Sequence, residues 1–394
     1  MRRLAFGVLA LSLAACVGDD SVSPPDAGGD ATTFDAPVAD APQETAPTCT
    51  GTQTACGSAC VDLQSDDANC GACGHACGTG STCTSGFCPP VTLCNAGTGN
   101  GSNGSQLVVY KGAAYFNLGQ SIKACNLGVT NATASDFSTT KLLQNSFTSI
   151  VGDPSFFYFV THNTSTSSNS LTRCDGNTTD TTFITTYPSG GPGTYVRTDD
   201  DPSTGQVYEA LTDEVDFVHP DLVDAGTPTS TCISQISTLA TGAAGGGKYF
   251  FVDSSNKVRA VTITGGTCSN PVTVAGGLIG ATALAAEGST IAFADGNGNV
   301  YACDAALGCT PQVPPTPLVT GQGNGVLAIV LDSSTPPNLY WVGSAGLAKC
   351  SSAAGTCNGK PTVLVPNAMP TAGIALDASN VYYLQGATLS SAAK

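Results

Sequence analysis

The sequence of 394 residues carries little charge, and basic side chains are particularly scarce. Charged residues make up 11% of the chain, with 13 lysines and arginines against 29 aspartates and glutamates, so the formal net charge is −16. Contacts to phosphate need clustered Lys and Arg, and this composition therefore excludes nucleic acid as a partner. Beyond Leu13 no apolar run approaches the roughly 20 residues of a membrane-spanning helix.

Side chains and motifs that serve catalysis are equally sparse. The chain has three histidines, His75, His162 and His219, of which we expect the last two in loops. It contains no Gly-x-Ser-x-Gly, no His-Glu-x-x-His and no phosphate-cradling Gly-x-x-x-x-Gly-Lys. The sequence thus predicts no catalytic residues, no cofactor and no metal, and it favours a non-enzymatic protein.

Some acidic segments leave a calcium site open as an alternative. Asp295-x-Asn297-x-Asn299 has the spacing that begins a calcium loop, but the later Glu is missing and its Asp-Gly and Asn-Gly pairs favour a hairpin turn. We expect residues 199–201 in a solvated loop and residues 213–216 in an exposed acidic turn. The only tryptophan, Trp341, is predicted to belong to the core.

The N-terminus is typical of an exported protein. Two arginines precede the apolar stretch Leu4–Leu13, and small residues lead into Cys16, which predicts a signal peptide over residues 1–15. The run Leu13-Ala14-Ala15-Cys16 resembles the lipobox of bacterial lipoproteins. The resemblance implies that Cys16 is lipidated and that the lipid attaches the protein to a membrane; a plain signal peptide is the alternative. Because Val17 rather than aspartate follows, it also implies an outer-membrane location in the cell envelope.

Residues 16–48 are predicted to be a disordered acidic tether that begins at the lipidated Cys16. Aspartates, Pro, Ala and Thr dominate this segment, which has no basic residue and almost no large apolar side chain. Such a composition cannot offset the entropy of ordering, and its like charges keep the chain extended.

Residues 49–88 are predicted to form a disulfide-rich module. A segment this short lacks a sufficient hydrophobic core and needs cross-links. Its cysteines number eight, so 105 pairings are possible and the pairing stays open; they are Cys49, Cys56, Cys60, Cys70, Cys73, Cys77, Cys83 and Cys88. Zinc at Cys70-x2-Cys73 with His75 is the alternative, but zinc needs reduced thiolates, and exported proteins favour disulfides.

The spacing of these cysteines resembles a known family. The stretch Cys56-Gly57-Ser58-Ala59-Cys60, the stretch Asn69-Cys70-Gly71-Ala72-Cys73-Gly74 and the later cysteines resemble the cysteine-rich repeat of plant stigma-specific secreted proteins, which recurs in exported proteins of myxobacteria. The resemblance implies a small extracellular module without a defined chemistry.

Residues 91–394 contain an aromatic repeat that predicts an all-β propeller. Short β-rich strands with an aromatic doublet or triplet recur every 42 to 51 residues, centred on Tyr115, Phe157, Tyr208, Phe250, Phe293, Tyr340 and Tyr382. Each unit is predicted to hold four short strands, which is typical of a propeller blade. We predict seven blades, closed by Pro90–Leu93 in the last one; six remain an alternative because the third unit is irregular.

Cysteines within the repeats occupy equivalent positions. Cys303 with Cys309, and Cys350 with Cys357, are predicted to form local disulfides after their aromatic strands, and Cys94 is within reach of Cys125. Cys232 with Cys268 is a weaker expectation that leaves Cys174 over. This domain resembles lipid-anchored propeller proteins of myxobacteria.

Together these features predict a lipid-anchored, non-enzymatic envelope protein whose propeller is a scaffold that binds a protein or a glycan. The scaffold role is an analogy from fold alone. The alternative is a calcium-type, metal-dependent hydrolase or lactonase in the propeller channel.

Overall fold

The computed structural model of the protein is all-β in the part that it describes. No helix in this part of the chain has the length and apolarity needed to cross a membrane. Residues 47–394 form one compact unit; the predicted signal peptide, Cys16 and nearly all of the tether lie outside the described residues. The described ranges are 47–78, 80–97, 107–118, 121–137, 145–152, 157–163, 168–174, 181–188, 195–201, 206–211, 214–218, 230–234, 241–264, 267–305, 309, 316–323, 326–353, 357, 359–370 and 373–394.

The module begins with a hairpin of β1 (Thr54–Cys56) and β2 (Ala59–Val61), whose turn contains Gly57 at φ +64°. Disulfides then connect the whole segment, joining Cys49 to Cys60, Cys56 to Cys73, Cys70 to Cys83 and Cys77 to Cys88. The buried apolar side chains of the module are Cys70 and Cys88, so disulfide sulfur takes the place of a hydrophobic core.

Among the described residues, seven sheets follow the module, one for each aromatic repeat. In chain order the further strands are β3 (Val91–Asn95), β4 (Leu107–Tyr110), β5 (Ala113–Leu118), β6 (Ser121–Asn126), β7 (Ala132–Thr133), β8 (Ser135–Asp136), β9 (Asn145–Gly152), β10 (Phe157–Asn163), β11 (Ser168–Cys174), β12 (Thr181–Pro188), β13 (Tyr195–Asp201), β14 (Gln206–Leu211), β15 (Glu214–Val218), β16 (Ser230–Ser234), β17 (Gly242–Gly245), β18 (Lys248–Val252), β19 (Val258–Thr264), β20 (Thr267–Cys268), β21 (Val272–Ala275), β22 (Ala283–Glu287), β23 (Thr290–Ala294), β24 (Val300–Asp304), β25 (Ala328–Leu331), β26 (Asn338–Gly343), β27 (Gly346–Ser351), β28 (Thr362–Pro366), β29 (Ile374–Leu376), β30 (Asn380–Gln385) and β31 (Thr388–Ala393).

Antiparallel pairs build the sheets, apart from the parallel pair of β3 and β7 in the seventh sheet. The first six sheets comprise β4-β5-β6-β8, β9 to β12, β13 to β16, β17 to β21, β22 to β24 and β25 to β28, and the seventh has the order β29-β30-β31-β3-β7. The irregular third unit, which left six blades open, forms a four-stranded sheet of its own, β13 to β16.

The first strands of the sheets contact one another in a closed ring. The contacts run from β4 to β9, β13, β17, β22, β25 and β29, and β29 returns to β4. In the seventh sheet β3 pairs with β31, with Val91 opposite Ser391, so a strand from before the repeats completes the last sheet. The predicted all-β propeller is confirmed, and a strand from before the repeats closes its ring.

The aromatic repeat lies in the second strand of every sheet. Because each sheet packs against a neighbour on both faces, adjacent side chains of this strand are buried alike, which produces doublets instead of strict alternation. Tyr115 of the first sheet stacks on Phe157 of the second, with ring centroids 4.4 Å apart. Trp341 is fully buried among alanines and valines of the fifth and sixth sheets, which confirms its predicted place in the core.

Candidate functional site

Antiparallel pairing places the connections between strands on two faces of the propeller. The connections that lead into the first strands lie together with the turns between second and third strands; we call this side the entry face. The turns between first and second strands lie with the links between third and fourth strands on the other side, the exit face. In the sixth sheet, residues 344–345 belong to the entry face and residues 332–337 to the exit face.

A pocket of about 260 Å³ opens on the entry face beside the sixth sheet. It lies between the connections into the sixth and seventh sheets, and its lining includes Leu327, Val342, Ala368 and Met369, with Gln322 and Ser344 as polar members. Leu327 and Met369 remain 64% and 71% exposed. A mostly apolar concavity with a few polar groups is the usual form of a ligand site.

Hydrogen bonds hold the wall of this pocket in place. Gln322 is 7% exposed, and its Oε1 accepts a hydrogen bond of 3.1 Å from Nε1 of the fully buried Trp341. The backbone carbonyl of Gln322 accepts from the Ser344 N–H at 2.8 Å, and the Leu327 N–H donates to the Val342 carbonyl at 3.2 Å. These hydrogen bonds fix the Gln322 side chain and the backbone that line the pocket.

The exposed apolar side chains of the entry face recur at equivalent places. Ile279, 62% exposed, occupies the connection into the fifth sheet, as Leu327 and Met369 occupy the next two connections. In the described turns and connections of this face the charged residues are Asp253, Lys257 and Asp295. Asp253 is paired with Arg259, and Asp295 is buried. Exposed apolar side chains thus recur in three successive connections of this face, among few charged groups.

The exit face is rich in carboxylates, and turns occupy them. Asp332 accepts hydrogen bonds from the Ser334 and Asn338 N–H groups and from the Tyr340 hydroxyl. Asp377 accepts in the same way from Ser379, Asn380 and Tyr382. Burial alone would raise the pKa of each carboxyl group, but these donated hydrogen bonds outweigh it and lower the pKa.

Asp295, in the segment with calcium-loop spacing, shows the same arrangement. Its carboxylate accepts from the backbone N–H groups of Asn297 and Asn299, from the Asn299 side chain and from the Tyr301 hydroxyl. Burial and the bond to Asp295 raise the pKa of Tyr301 to about 12. The hairpin-turn interpretation is confirmed, because residues 295–299 connect the antiparallel strands β23 and β24.

Two expectations about acidic segments were wrong. Residues 199–201 are not a solvated loop but the end of β13, where Asp201 is 1% exposed and accepts a hydrogen bond of 2.6 Å from the Gly247 N–H. Residues 214–216 begin β15 and pair with β14, while residue 213 lies outside the described ranges. In both segments, pairing with the neighbouring strand β14 overrides the local preference of acidic residues for turns.

The remaining predicted residues are distributed over the fold. His162 lies in β10 instead of a loop, His219 lies outside the described residues, and His75 Nδ1 is 2.7 Å from the Cys70 carbonyl oxygen. Disulfides join Cys303 to Cys309, Cys350 to Cys357 and Cys94 to Cys125. Cys268 is disulfide-bonded, Cys232 lies in β16, and Cys174 is a buried thiol.

Metal-type ligands converge at one place among the described residues. The sulfur atoms of Cys70, Cys77 and Cys88 lie within 4.8 Å of one another, and all three are in disulfides. Cys70 and Cys73, the pair considered for zinc, belong to different disulfides. Sequence reasoning missed the apolar pocket, since its walls come from three separate segments.

Comparisons with known proteins separate the module from the propeller. Residues 41–91 match the profile of the Stigma-specific STIG1-like protein family. No curated protein sequence matches the chain. The solved structure titled "Crystal Structure of Mitotic Checkpoint Complex" contains a chain with 12% identity and a TM-score of 0.55, covering 78% of this chain and 91% of that one. A chain of "Crystal structure of Nidogen/Laminin Complex" has 14% identity and a TM-score of 0.43, covering 64% and 92%. The module is thus similar to a cysteine-rich family, and the first of these structures shows a similar fold alone.

Proposed function

We propose that this protein is a lipid-anchored cell-envelope scaffold, and that the entry face of its propeller binds a protein or glycan partner. The observation that carries the proposal is the apolar pocket beside Leu327 and Met369. The fold supports a binding role because a propeller presents loops on a rigid ring. Anchoring at Cys16 is supported by the sequence pattern of the N-terminus.

The position of the module supports an exposed entry face. The strand β3, which follows the module, starts from the exit face, since it runs antiparallel to β31. Gly78 of the module lies beside Asn380 at the exit face, where an added Cβ would come within 3.1 Å of the Asn380 Oδ1. The module therefore lies against the exit face and leaves the pocket on the opposite side accessible to a partner.

The binding role is tested with the compact unit of residues 47–394, immobilised and exposed to envelope extract. Leu327→Asp and Met369→Asp place charges in the pocket, and we expect each to lower capture of the bound component by about tenfold or more. Val129→Asp is the matched control, because Val129 is 48% exposed but lies on the exit face between β6 and β7. Equal capture by all three variants would contradict the proposal.

The class of partner is resolved in the same assay. Digesting the extract with a protease before capture removes a protein partner, whereas a glycan partner survives and is removed by periodate oxidation. Capture that survives both treatments contradicts a protein or glycan ligand.

The anchor is tested by labelling cells with a clickable fatty acid. We expect label on the wild-type chain and none on Cys16→Ser, which should also leave the membrane fraction because a single thiol carries the attachment. A labelled Cys16→Ser chain, or an unlabelled wild type, would refute lipidation at this residue.

A further inference from the structure

Two disulfides of the module lie close enough to exchange partners. The Cys70 sulfur, bonded to Cys83, lies within 4.8 Å of both sulfurs of the Cys77–Cys88 disulfide. Thiol–disulfide exchange requires a thiolate to reach a disulfide sulfur, and at this distance only small side-chain motions separate the groups.

Hydrogen bonds to two residues hold the sulfurs together. The Asp67 carboxylate accepts from the Cys83 N–H at 2.5 Å, and the Asp67 backbone carbonyl accepts from the Cys77 N–H at 2.7 Å. On the other side, the Cys70 N–H donates to the His75 carbonyl at 2.8 Å. Asp67 thus fixes the backbone of Cys83 and of Cys77, one cysteine from each disulfide.

Burial gives the exchange a direction. Cys70 has no exposed surface and Cys88 is 5% exposed, whereas Cys83 and Cys77 are each partly exposed. Within these two disulfides, an external thiol can therefore reach Cys83 and Cys77 but not their buried partners. A thiolate is more stable where water can solvate it, so the charge released in the second exchange belongs on Cys77 and not on a buried sulfur.

We propose that Cys83 is a capture site for thiol compounds, and that the neighbouring disulfide makes the capture lasting. The external thiolate attacks the Cys83 sulfur, a mixed disulfide forms, and Cys70 leaves as a thiolate. Cys70 then attacks the Cys88 sulfur, the Cys77–Cys88 bond breaks, and Cys77 leaves as a thiolate that takes a proton from water. No net oxidation occurs, since each step exchanges one disulfide for another. Once Cys70 is bonded to Cys88, it no longer expels the captured thiol.

The test uses the purified full-length protein with its native disulfides, incubated with cysteamine, a small cationic thiol that the net charge of −16 does not repel. After acid quenching and alkylation, peptide mass spectrometry should find cysteamine on Cys83, a Cys70–Cys88 disulfide and an alkylated Cys77. An adduct that retains Cys77–Cys88, or a Cys70–Cys77 product, would overturn the proposal, as would the absence of an adduct on Cys83.

Paired variants supply the control. In Cys77→Ala/Cys88→Ala the second exchange cannot occur, so Cys70 expels the captured thiol and the Cys83 adduct should fall by about tenfold. Cys49→Ala/Cys60→Ala removes a disulfide elsewhere in the module and should leave the adduct unchanged. Equal adduct in both double variants contradicts the exchange, and the peptide map of the native protein decides the matter if a variant does not fold.

Discussion

The hydrogen bond between Trp341 and Gln322 connects a core side chain to the wall of the pocket. Removing this bond should therefore lower the stability of the propeller. Both side chains are buried, and the bond is 3.1 Å long. Trp341→Phe removes the donor and leaves the Gln322 Oε1 unpaired, which costs about 1–3 kcal/mol. The smaller ring adds about 1 kcal/mol for lost packing. We expect the free energy of unfolding to fall by about 2–4 kcal/mol, since these two terms add.

A double-mutant cycle isolates the hydrogen bond from the packing. Gln322→Met removes the acceptor at similar volume and should also destabilise, because it leaves the indole N–H unpaired. With both changes together no buried polar group is orphaned, so the double variant should be more stable than the sum of the single losses predicts, by about 1–2 kcal/mol.

The assay is chemical denaturation of residues 47–394 with intact disulfides, followed by far-ultraviolet circular dichroism. Trp341 is the only tryptophan, so acrylamide quenching of wild-type fluorescence independently reports its burial. Additive losses within about 0.5 kcal/mol would refute the coupling. Efficient quenching in the native state would refute the burial itself.

Two further predictions concern acid and the ring closure. Hydrogen bonds lower the pKa of Asp377 below 3.8, so the stability that its carboxylate contributes is present above pH 3.8 and is lost as the pH falls through the folded-state pKa. The free energy of unfolding, measured between about pH 2 and 5, should therefore depend less on pH in Asp377→Asn than in the wild type. An equal dependence in both proteins would contradict this. Cys94→Ala/Cys125→Ala removes the disulfide between the closing strand β3 and the first sheet, which should lower the free energy of unfolding by about 2–4 kcal/mol. Amide hydrogen exchange in residues 91–95 should then be faster than in the control variant Cys303→Ala/Cys309→Ala. Equal exchange in both variants would contradict the role of this disulfide in ring closure.

The repeat was readable from sequence because its signal is local. Phe250 and Phe293 lie in second strands buried on both faces, so the hydrophobic effect acts on neighbouring residues and leaves a doublet in each unit. Completion of the last sheet by Val91 was also predictable, since the final unit lacked its outer strand.

The pocket and the disulfide pairing of the module could not be read in the same way. Leu327 belongs to an apolar run that predicts a strand, and its 64% exposure depends on where the strand begins, which is Ala328. Met369 lies in the connection into the seventh sheet, and it shares a pocket with Leu327 because the ring places the sixth and seventh sheets side by side. In the module, the sequence shows the number and spacing of the cysteines but not which of them form disulfides with one another. The pairing depends on loop conformations such as that around Asp67.

The central claim is that seven sheets close into a ring through β3, which places the apolar pocket on the face opposite the module. A crystal structure of residues 47–394 tests this claim most directly. The account predicts seven sheets around one axis, with Val91 paired to Ser391 and with Leu327 and Met369 together on the entry face. A structure in which β3 pairs elsewhere, or in which the module covers Leu327 and Met369, would contradict it.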